Sequence, residues 1–390
     1  MNLNEKGIWA IFKRECRRFV SRPVYLLCII GVPLFCYIFF ISLMWNGVPE
    51  RLPVGIVDND HSNVSRSLIR TLDAMSAVEV SNVYESYSDA RDAMQKNKIY
   101  AFMIIPEGFE NKSMSGKQPD LAIFTNDAYF VAGMFSYKAL KLTTALANGA
   151  IVKGVMQGKG AYEYQMAAKL QPLVLDTNPL GNPWVNYSIF LNNVILPTML
   201  QLMIMLMTVF ALGTEIKENN SKRLLIISNR SVFRLILGKL LPQTVLFLIM
   251  GIALQIVLYG FLKFPLQNGF MPMLIAMVFM VISSQALGVL MIGLFPVLRL
   301  GLSAAALFGV IGFSLVGFSF PVQIMYEPFR LLSYLYPARH YYLVYKAEAL
   351  NSFPIWYALN EYMWMIAFLL LPMPILPRLK RALFKQKYIA

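Results

Sequence analysis

The chain has 390 residues, of which 57% are hydrophobic and only 14% are charged, and its mean hydropathy is +0.54. Soluble domains usually carry about a quarter charged residues, so this composition excludes an ordinary soluble protein and indicates a chain that lives in a lipid bilayer. The net charge of +14 would suit nucleic-acid binding in a polar protein, so its distribution along the chain has to decide. Three cysteines and two histidines predict neither a disulfide framework nor a zinc site.

Uncharged apolar stretches of about 20 residues, the length that crosses a bilayer as a helix, predict six membrane spans. They cover residues 24–45, 188–212, 241–262, 270–298, 300–320 and 354–377. The first is too long for a signal-peptide core, so we expect it to remain as an anchor. Trp184 and Tyr187 are expected at the outer interface of the second span, and Arg299 in a tight turn before the fifth.

The distribution of lysine and arginine predicts the orientation of these spans. Segments 1–23, 213–240 and 378–390, together with Arg299, account for the whole net charge of +14, because the remaining segments are balanced. The positive-inside rule places the basic segments in the cytoplasm. Both termini are then cytoplasmic, residues 378–390 form a basic cytoplasmic tail, and no nucleic-acid partner is expected.

Segment 1–23 is predicted to be an amphipathic helix in the cytoplasmic interface of the membrane. Its apolar residues recur at helical spacing, namely Ile8, Phe12, Cys16 and Phe19, and its basic residues Lys13, Arg14, Arg17 and Arg18 lie on other faces. Trp9 suits an interfacial anchor, and Pro23 suits the first turn of the next helix. A membrane-surface helix without a partner is the alternative.

Residues 46–187 are predicted to form an extracytoplasmic α/β domain, inserted between the first and second spans. The segment is balanced in charge and long enough for one globular domain. Short β-rich runs at 54–57, 77–80, 99–105 and 121–124 alternate with helical stretches, which predicts a small, mainly parallel sheet. Ser62 is expected to cap a helix over 63–75. From 128 to about 169 the chain is expected to return to the membrane as a helical stalk.

A polar cluster follows the first predicted strand of this domain. Asp58, Asn59, Asp60 and His61 are adjacent in the sequence. They suit a polar turn that leads into a capped helix, and a metal cluster is the alternative. The domain contains no pair of catalytic carboxylates and no nucleophile with its base, so we interpret it as a binding or gating module.

The loop between the second and third spans, residues 213–240, is much longer than a connection requires. Asn220 or Ser221 is positioned to cap a short helix whose Leu224, Leu225 and Ile227 are flanked by charge, and Ser231 to cap the next. A short amphipathic helix framed by charges suits a groove on a soluble partner. A surface loop without a partner is the alternative.

The predicted spans offer no energy source of their own. Ion-driven transporters need ionisable groups at mid-membrane, and Glu361 is the exception here, about 10 Å of helix beyond Pro354, where it either faces the outer interface or has a function. The sequence contains no G-x-x-x-x-G-K-[ST] phosphate-binding loop. If nucleotide drives transport, the ATPase is another polypeptide. No nucleophile, base and orienting group within the spans supports an intramembrane hydrolase.

Four short motifs occur in a fixed order along the chain. Residues 53–60 begin the outer domain with Pro-Val-Gly-Ile-Val-Asp and a second aspartate, and residues 104–109 read Ile-Ile-Pro-Glu-Gly-Phe. Residues 237–242 read Leu-Gly-Lys-Leu-Leu-Pro, and residues 317–321 read Gly-Phe-Ser-Phe-Pro, followed by Tyr336, Pro337 and Arg339. With the order of spans, they make the chain resemble, over essentially its full length, the permease subunit of type-2 ATP-binding-cassette (ABC) exporters, in the six-span form with a large extracytoplasmic domain.

The resemblance implies a membrane α-helical fold, a dimer with a second permease copy or a close homologue, and three functional regions. Coupling to the ATPase would involve Glu215, Lys217, Glu218, Ser221, Lys222, Arg223, Leu224 and Leu225. The interface helix would use Trp9, Phe12, Arg14 and Glu15. Residues 321–353 would form an outer helical hairpin that closes the exit, with Pro321, Phe329, Tyr336, Pro337 and Arg339, and with Phe329, Leu332 and Tyr336 buried. In one departure, Asn219 and Asn220 stand where the family usually shows Gly-Thr.

The expected function is therefore that of a permease subunit in an ABC exporter of a bacterial inner membrane, moving a drug-like, lipid or glycan substrate outward. The chain itself would need no cofactor, because ATP and magnesium would bind the partner ATPase. A membrane-fusion adaptor is a further expected partner, and the 23 methionines suit either ordinary packing or an adaptable apolar lining. The alternative is a non-transporting membrane scaffold or receptor with an outer ligand-binding domain.

Overall fold

The computed structural model describes residues 7–158, 181–183 and 185–385. Contacts divide the chain into two compact units, one formed by residues 1–45 and 179–390 and the other by residues 46–178. The expected interfacial position of Trp184, and the part of the predicted stalk beyond residue 158, lie outside the described residues. The first unit contains the apolar helices, and the second contains the sheet.

The first unit begins with helix α1 (Ile8–Ser21), followed after one extended residue, Arg22, by helix α2 (Pro23–Leu43). Pro23 stands in the first turn of α2, as predicted, and a π-helical turn interrupts α2 at Leu27–Gly31. Helix α1 buries Ile11, Glu15, Arg18 and Phe19. Arg18, predicted to lie on a face other than the apolar one, is buried because Glu215 and Glu218 pair with its guanidinium group.

The second unit has a four-stranded sheet with helices between the strands. Its elements are β1 (Leu52–Asp58), α3 (Asn63–Asp73), β2 (Val78–Tyr84), α4 (Tyr87–Gln95), β3 (Ala101–Ile105), α5 (Phe109–Met114), β4 (Ala122–Thr125) and α6 (Phe130–Gly158). The strand order is β2-β1-β3-β4, with β1 parallel to both β2 and β3, and β4 antiparallel to β3. The sheet is mainly parallel, as predicted.

The polar cluster after β1 serves helix starts rather than a metal. Asp58 Oδ1 accepts hydrogen bonds from the amides of Asp60 and His61, and Asp60 accepts from the amides of Phe109 and Glu110 at the start of α5. Slight burial raises the pKa of Asp60, but hydrogen bonds from Ser62 and from these backbone amides outweigh it and lower that pKa. No metal-binding group of three or more His, Cys, Asp or Glu occurs among the described residues, and Ser62 caps α3 as predicted.

The chain returns to the first unit with five helices between residues 187 and 315. They are α7 (Tyr187–Lys217), α8 (Ser221–Ile227), α9 (Val232–Phe261), α10 (Phe270–Leu294) and α11 (Leu298–Leu315). Together with α2, the four long helices are the five helices long and apolar enough to cross a membrane within the described part of the chain. Helix α7 continues five residues beyond the predicted span, and Arg299 lies in the first turn of α11 rather than before it.

The segment predicted as an outer hairpin passes between the long helices. It contains a 3₁₀ turn (Val322–Ile324), α12 (Glu327–Ser333) and α13 (Pro337–Val344), which ends in a π-helical turn (Tyr345–Leu350). Its tip reaches the middle of α7, where the Ala338 amide donates to Gln201 Oε1 at 2.7 Å. Of the expected buried face, Tyr336 is fully buried, Leu332 is half-buried, and Phe329 is 53% exposed, so that prediction is wrong for Phe329.

The final segment is helical but not one continuous α-helix. Helix α14 (Ile355–Ala367) is followed by 3₁₀-type hydrogen bonds, a 3₁₀ turn (Met373–Ile375) and α15 (Leu376–Lys385). Pro372 and Pro374 lack the amide hydrogens that an α-helix would use here. The predicted span 354–377 is thus helical at Ile355–Ala367 and from Met373 onward, with hydrogen-bonded turns at residues 368–372 between these parts. The predicted basic tail begins as α15, which buries Leu379 and Leu383.

Candidate functional site

The short helix α8 lies between two sharp turns that join α7 to α9. Asn219 adopts a left-handed backbone conformation before α8 (φ 56°), and Asn229 and Arg230 adopt it after α8 (φ 55° and 58°). Ser231 caps α9 by accepting from the Arg234 amide, as predicted, whereas Asn220 makes no capping bond to α8. Asparagine tolerates the left-handed region better than most residues, so Asn219 fits the turn it occupies.

The inner face of α8 packs on the last helix of the chain. Ser221, Leu224 and Leu225 are buried, and the Ser221 hydroxyl donates to the backbone carbonyl of Leu383 at 2.7 Å. Leu224 and Leu225 belong to the same apolar cluster as Leu379 and Leu383 of α15. Helix α15 therefore supports α8 from behind.

The outer face of α8 and the turn after it are exposed. We define the α8 surface as Lys222, Arg223, Ile226 and Arg230, in which three cations surround an isoleucine that is 61% exposed. At its edge, Lys222 Nζ lies 5.5 Å from the centre of the Phe384 ring of α15. The α8 surface thus offers positive charge and one apolar side chain to whatever contacts it.

Next to α8, a buried charge cluster joins three helices. We define it as Glu15 and Arg18 of α1, Glu215 of α7 and Lys239 of α9. Lys239 Nζ lies 2.8 Å from Glu15 Oε2 and 2.8 Å from Glu215 Oε1, and Arg18 also pairs with Glu215. All four side chains are at least nine-tenths buried.

Partly exposed residues extend the buried charge cluster toward the end of α1. Arg14 makes a bidentate pair with Glu215 at 3.0 and 3.1 Å, and Glu218 pairs with Arg18 at 2.9 Å and with Arg22 at 2.6 Å. The hydrogen bond to Glu218 raises the pKa of Arg22. Desolvation tends to raise the pKa of Glu218, but the hydrogen bond from Arg22 and the charges of Arg18 and Arg22 outweigh it and lower that pKa.

Gly238 allows α1 to approach α9 closely beside this cluster. A Cβ atom at Gly238 would lie 2.9 Å from the Ile8 carbonyl oxygen and 3.1 Å from Ile11 Cβ. The neighbouring Lys239 then reaches Glu15 across the contact. This gives the motif at residues 237–242 a physical reason: glycine supplies the space and lysine supplies the charge.

The predicted coupling residues divide into two groups in the structure. Lys217, Glu218, Lys222 and Arg223 are exposed, whereas Glu215, Ser221, Leu224 and Leu225 are buried. The buried ones hold α8 and α7 in place and present nothing to a partner, so direct contact through Glu215 is corrected to an internal role. In the predicted interface helix, Trp9 is 69% exposed, Phe12 and Arg14 are half-buried, and Glu15 is buried.

Sequence reasoning missed three residues of this region as site residues: Arg18, Arg22 and Lys239. A signal was present, because Glu15, Glu215 and Glu218 are acids within segments that are otherwise basic. An acid in such a segment, close to a membrane, needs a cationic partner. The sequence does not show that α1 pairs with segments about 200 residues away.

A second polar pair joins residues 321–353, which we call the re-entrant segment because they turn back among the long helices, to α14. His340 Nδ1 lies 2.6 Å from Glu361 Oε2, and His340 Nε2 lies 2.9 Å from the Tyr334 carbonyl oxygen. The His340 ring stacks on Trp364 with 5.9 Å between ring centres. Glu361 therefore holds α13 against α14.

A protein-family model described as "ABC-2 family transporter protein" matches residues 23–375. The chain belongs to this family. It is thus an ABC-2 type permease, a multi-pass membrane protein of transporters in which, as a rule, a partner subunit is the ATPase. The search of curated proteins gave no match.

The family match places the site within the ABC-2 permease. Helix α8, Glu215 and Lys239 all lie inside the matched residues, as does the re-entrant segment with His340 and Glu361. Helices α1 and α15 lie outside residues 23–375, yet their side chains complete the buried charge cluster and the support of α8. Helix α8 is therefore held in place by two helices, α1 and α15, that flank the residues matched by the family model.

Proposed function

We propose that this chain is the permease subunit of an ATP-driven exporter and that α8 is the helix through which a cytoplasmic ATPase drives it. The observation that carries the proposal is the division of α8 into two faces. One face is buried against α15, and the other, with the turn after the helix, exposes three cations and an isoleucine. A charged rim around an exposed apolar side chain suits a groove on a soluble partner.

The contacts around α8 are suited to transmit a push. Force on the α8 surface reaches α7 and α9 through short turns, α15 through Ser221, and α1 through the buried charge cluster. Closely packed helices joined by buried ion pairs move as a body rather than deform. ATP-driven approach of two ATPase subunits would then tilt these helices together and open the transport path outward.

The proposed topology has six spans, both termini in the cytoplasm of a bacterium and the α/β unit outside its inner membrane. The five long apolar helices account for five crossings, and the helical path from α14 into α15 supplies the sixth. Hydrogen bonds of the 3₁₀ type carry the backbone through residues 368–375, so its polar groups stay satisfied in a bilayer. The concentration of positive charge supports the orientation.

A second permease copy or close homologue is proposed to cover the apolar face of α11. Leu300, Leu307 and Val310 of that helix are exposed, and a groove of about 390 Å³ between α2, α7 and α11 is lined by apolar residues and one serine. An amphipathic or hydrophobic substrate suits such a lining.

Two further partners are proposed. The α/β unit is proposed to face a membrane-fusion adaptor, and ATP with magnesium is proposed to bind the partner ATPase.

One observation favours a second candidate function, that of a scaffold or receptor that does not transport. The α/β unit has its own apolar core, centred on Val54, Leu72 and Met103, and such a unit could bind a ligand by itself. Purification of the chain from its native membrane separates the two functions. A co-eluting soluble ATPase supports export, and its consistent absence supports the scaffold.

Charge reversal on the α8 surface tests the coupling. Lys222→Glu with Arg223→Glu is expected to abolish stimulation of the co-eluting ATPase, measured as phosphate release in proteoliposomes, without loss of membrane insertion. The matched control is Lys112→Glu with Lys117→Glu, which reverses two exposed lysines on the α/β unit and should leave stimulation unchanged. Unaltered stimulation by the α8 variant would refute the proposal.

A further inference from the structure

Arg339 is a buried cation at the tip of the re-entrant segment. It is only 6% exposed, and its Nε and Nη1 atoms are buried and have no hydrogen-bond acceptor among the described residues. No carboxylate among the described residues lies within ion-pair distance of it. Its guanidinium carbon lies 3.9 Å from the centre of the Tyr334 ring, a contact that stabilises the charge only in part.

The tip lies among the long helices. Ala338, in the first turn of α13, donates to Gln201 at the middle of α7, and the Tyr336 ring stacks on Phe308 of α11 with 4.4 Å between centres. At its other end, α13 approaches the start of α7, where the Tyr345 hydroxyl donates to the Ile189 carbonyl oxygen. Arg339 therefore lies at the depth of the helix centres, where a bilayer is most apolar.

Two further polar groups at this tip are buried. Gln201 Nε2 and the Tyr336 hydroxyl have no hydrogen-bond partner in the part of the chain that the structure describes. Gln201 Nε2 and the Tyr336 ring both lie close to Gly312, because a Cβ atom there would meet them within 4 Å. The start of α13 adds the positive end of a helix dipole. Within the described residues, Arg339 Nε and Nη1 and Gln201 Nε2 are donors without an acceptor, and the Tyr336 hydroxyl is free to donate.

The acids of the neighbouring elements do not serve Arg339. Glu361 of α14 pairs with His340, and Glu327 of α12 pairs with Arg330 at the exposed end of the segment. By contrast, the buried cations Arg18 and Lys239 each have carboxylates within 3 Å. Arginine keeps its charge in proteins, and a buried charge without a counter-charge is strongly unfavourable. An anion from outside the described residues would remove this cost.

We propose that Arg339 binds the anionic head group of an amphiphile, such as a carboxylate or phosphate on an apolar chain. The exposed apolar residues Leu331 and Leu335 on the incoming side of the segment would contact the chain of that ligand. Guanidinium groups bind carboxylate and phosphate through paired hydrogen bonds. This inference rests on the proposed export function and names the class of molecule that the permease recognises.

Trp364 offers a reporter, because its ring centre lies 5.4 Å from that of Tyr334, on which Arg339 stacks. The test uses the full chain in phosphatidylcholine nanodiscs, without ATPase, and measures quenching of its fluorescence by 5-doxylstearate and by the uncharged methyl ester. A Trp364→Phe chain defines the background. A charge-assisted hydrogen bond predicts that the acid half-quenches at a concentration about tenfold lower than the ester. Equal quenching by acid and ester would overturn the proposal.

Variants then assign the difference to Arg339. Arg339→Gln is expected to remove the preference for the acid, and Arg339→Lys to retain most of it, because it keeps the charge. Arg330→Gln, an exposed arginine of α12, serves as the matched control and should behave as wild type. A preference for the acid that persists in Arg339→Gln would overturn the assignment. Comparison of acid with ester on the wild-type chain remains decisive should Arg339→Gln not fold.

A final arm separates a resident lipid from a transported molecule. Nanodiscs containing phosphatidylglycerol, an anionic lipid, are compared with pure phosphatidylcholine. If phosphatidylglycerol competes with 5-doxylstearate, the occupant of the anion site is a membrane lipid. If it does not compete, the occupant is another anionic amphiphile. Because the ATPase is absent, failure of this experiment leaves the coupling proposal intact, and failure of coupling leaves this result intact.

Discussion

Lys239 of α9 bridges two carboxylates from different helices, with its Nζ atom 2.8 Å from Glu15 of α1 and 2.8 Å from Glu215 of α7. A fully buried lysine between two fully buried glutamates is stable only while all three charges stay together. The middle of α1, the end of α7 and the first part of α9 are therefore joined beside α8, at the position where work from an ATPase would enter. This arrangement makes the first prediction specific.

Replacing Lys239 with methionine should destabilise the protein strongly. It leaves Glu15 with only Arg14, and it removes one cation from Glu215, so we expect a loss of about 3–5 kcal/mol, as for other broken buried pairs. Thermal unfolding of the purified protein in detergent, followed by size-exclusion fluorescence, measures it. Lys96→Met, which breaks an exposed pair with Asp92, is the control and should change stability by less than about 1 kcal/mol. Similar losses in both variants would contradict the account.

Glu218 gives a prediction about pH. Its pKa is lowered in the folded protein by Arg22 and Arg18. The ionised side chain therefore adds to the free energy of unfolding above the ordinary glutamate pKa of about 4.3, and this contribution is lost as the pH falls through the lowered pKa. Glu218→Gln should therefore be less stable than wild type at neutral pH. The difference should shrink below about pH 4. Unfolding temperatures of both proteins between pH 3 and 7 measure this, and a difference that grows in acid would contradict it.

Helix α15 is predicted to position α8. Leu379 is fully buried in the cluster shared with Leu224 and Leu225, so Leu379→Ala should cost about 2–5 kcal/mol and reduce ATPase stimulation. Phe384→Ala, at a residue that is exposed on the same helix, should not change stability. Unfolding temperature and stimulated phosphate release are measured for both variants. Normal stimulation by Leu379→Ala, at a temperature where it is folded, would show that α15 does not position α8.

The pair of His340 and Glu361 is predicted to fix the re-entrant segment on α14. Glu361→Leu leaves His340 Nδ1 buried without a partner, at a cost of about 1–3 kcal/mol, whereas Glu361→Gln retains an acceptor and should cost less. Glu327→Leu, which removes an exposed pair with Arg330, is the control. Unfolding temperatures should fall in the order Glu327→Leu, Glu361→Gln, Glu361→Leu. An equal effect of all three variants would mean that the pair is not structural.

The sequence predicted those elements that follow from local chemistry. Apolar runs located the five long helices, Ser62 and Ser231 were recognised as caps, and alternating strands and helices predicted the mainly parallel sheet. Helices α7 and α9 extend beyond the predicted spans 188–212 and 241–262 for one reason. Charged residues there looked like loop, but Glu215 and Lys239 stay within helices because each finds its counter-charge in another helix.

The arrangement of the site was less accessible to sequence reasoning. Helical periodicity put Arg18 on a polar face, but the buried face of α1 is itself charged, because Glu215 and Glu218 approach it from about 200 residues away. Residues 321–353 were predicted as an outer helical hairpin, but the contact of this segment with α7 was not predicted, for a similar reason. Its charged residues forbid a full crossing, but the sequence does not show that Gln201 on α7 receives its tip.

The central claim is that a cytoplasmic ATPase drives the permease through α8. The side of the membrane on which the α8 surface lies tests this claim most directly. In a chain with Cys16, Cys28 and Cys36 replaced by serine, Arg223→Cys and Lys96→Cys are labelled separately with a membrane-impermeant maleimide. Both positions are exposed. The account predicts that spheroplasts label the cysteine at 96 while intact and the cysteine at 223 only after permeabilisation. Labelling of the cysteine at 223 in intact spheroplasts would contradict it, because no cytoplasmic ATPase could then reach α8.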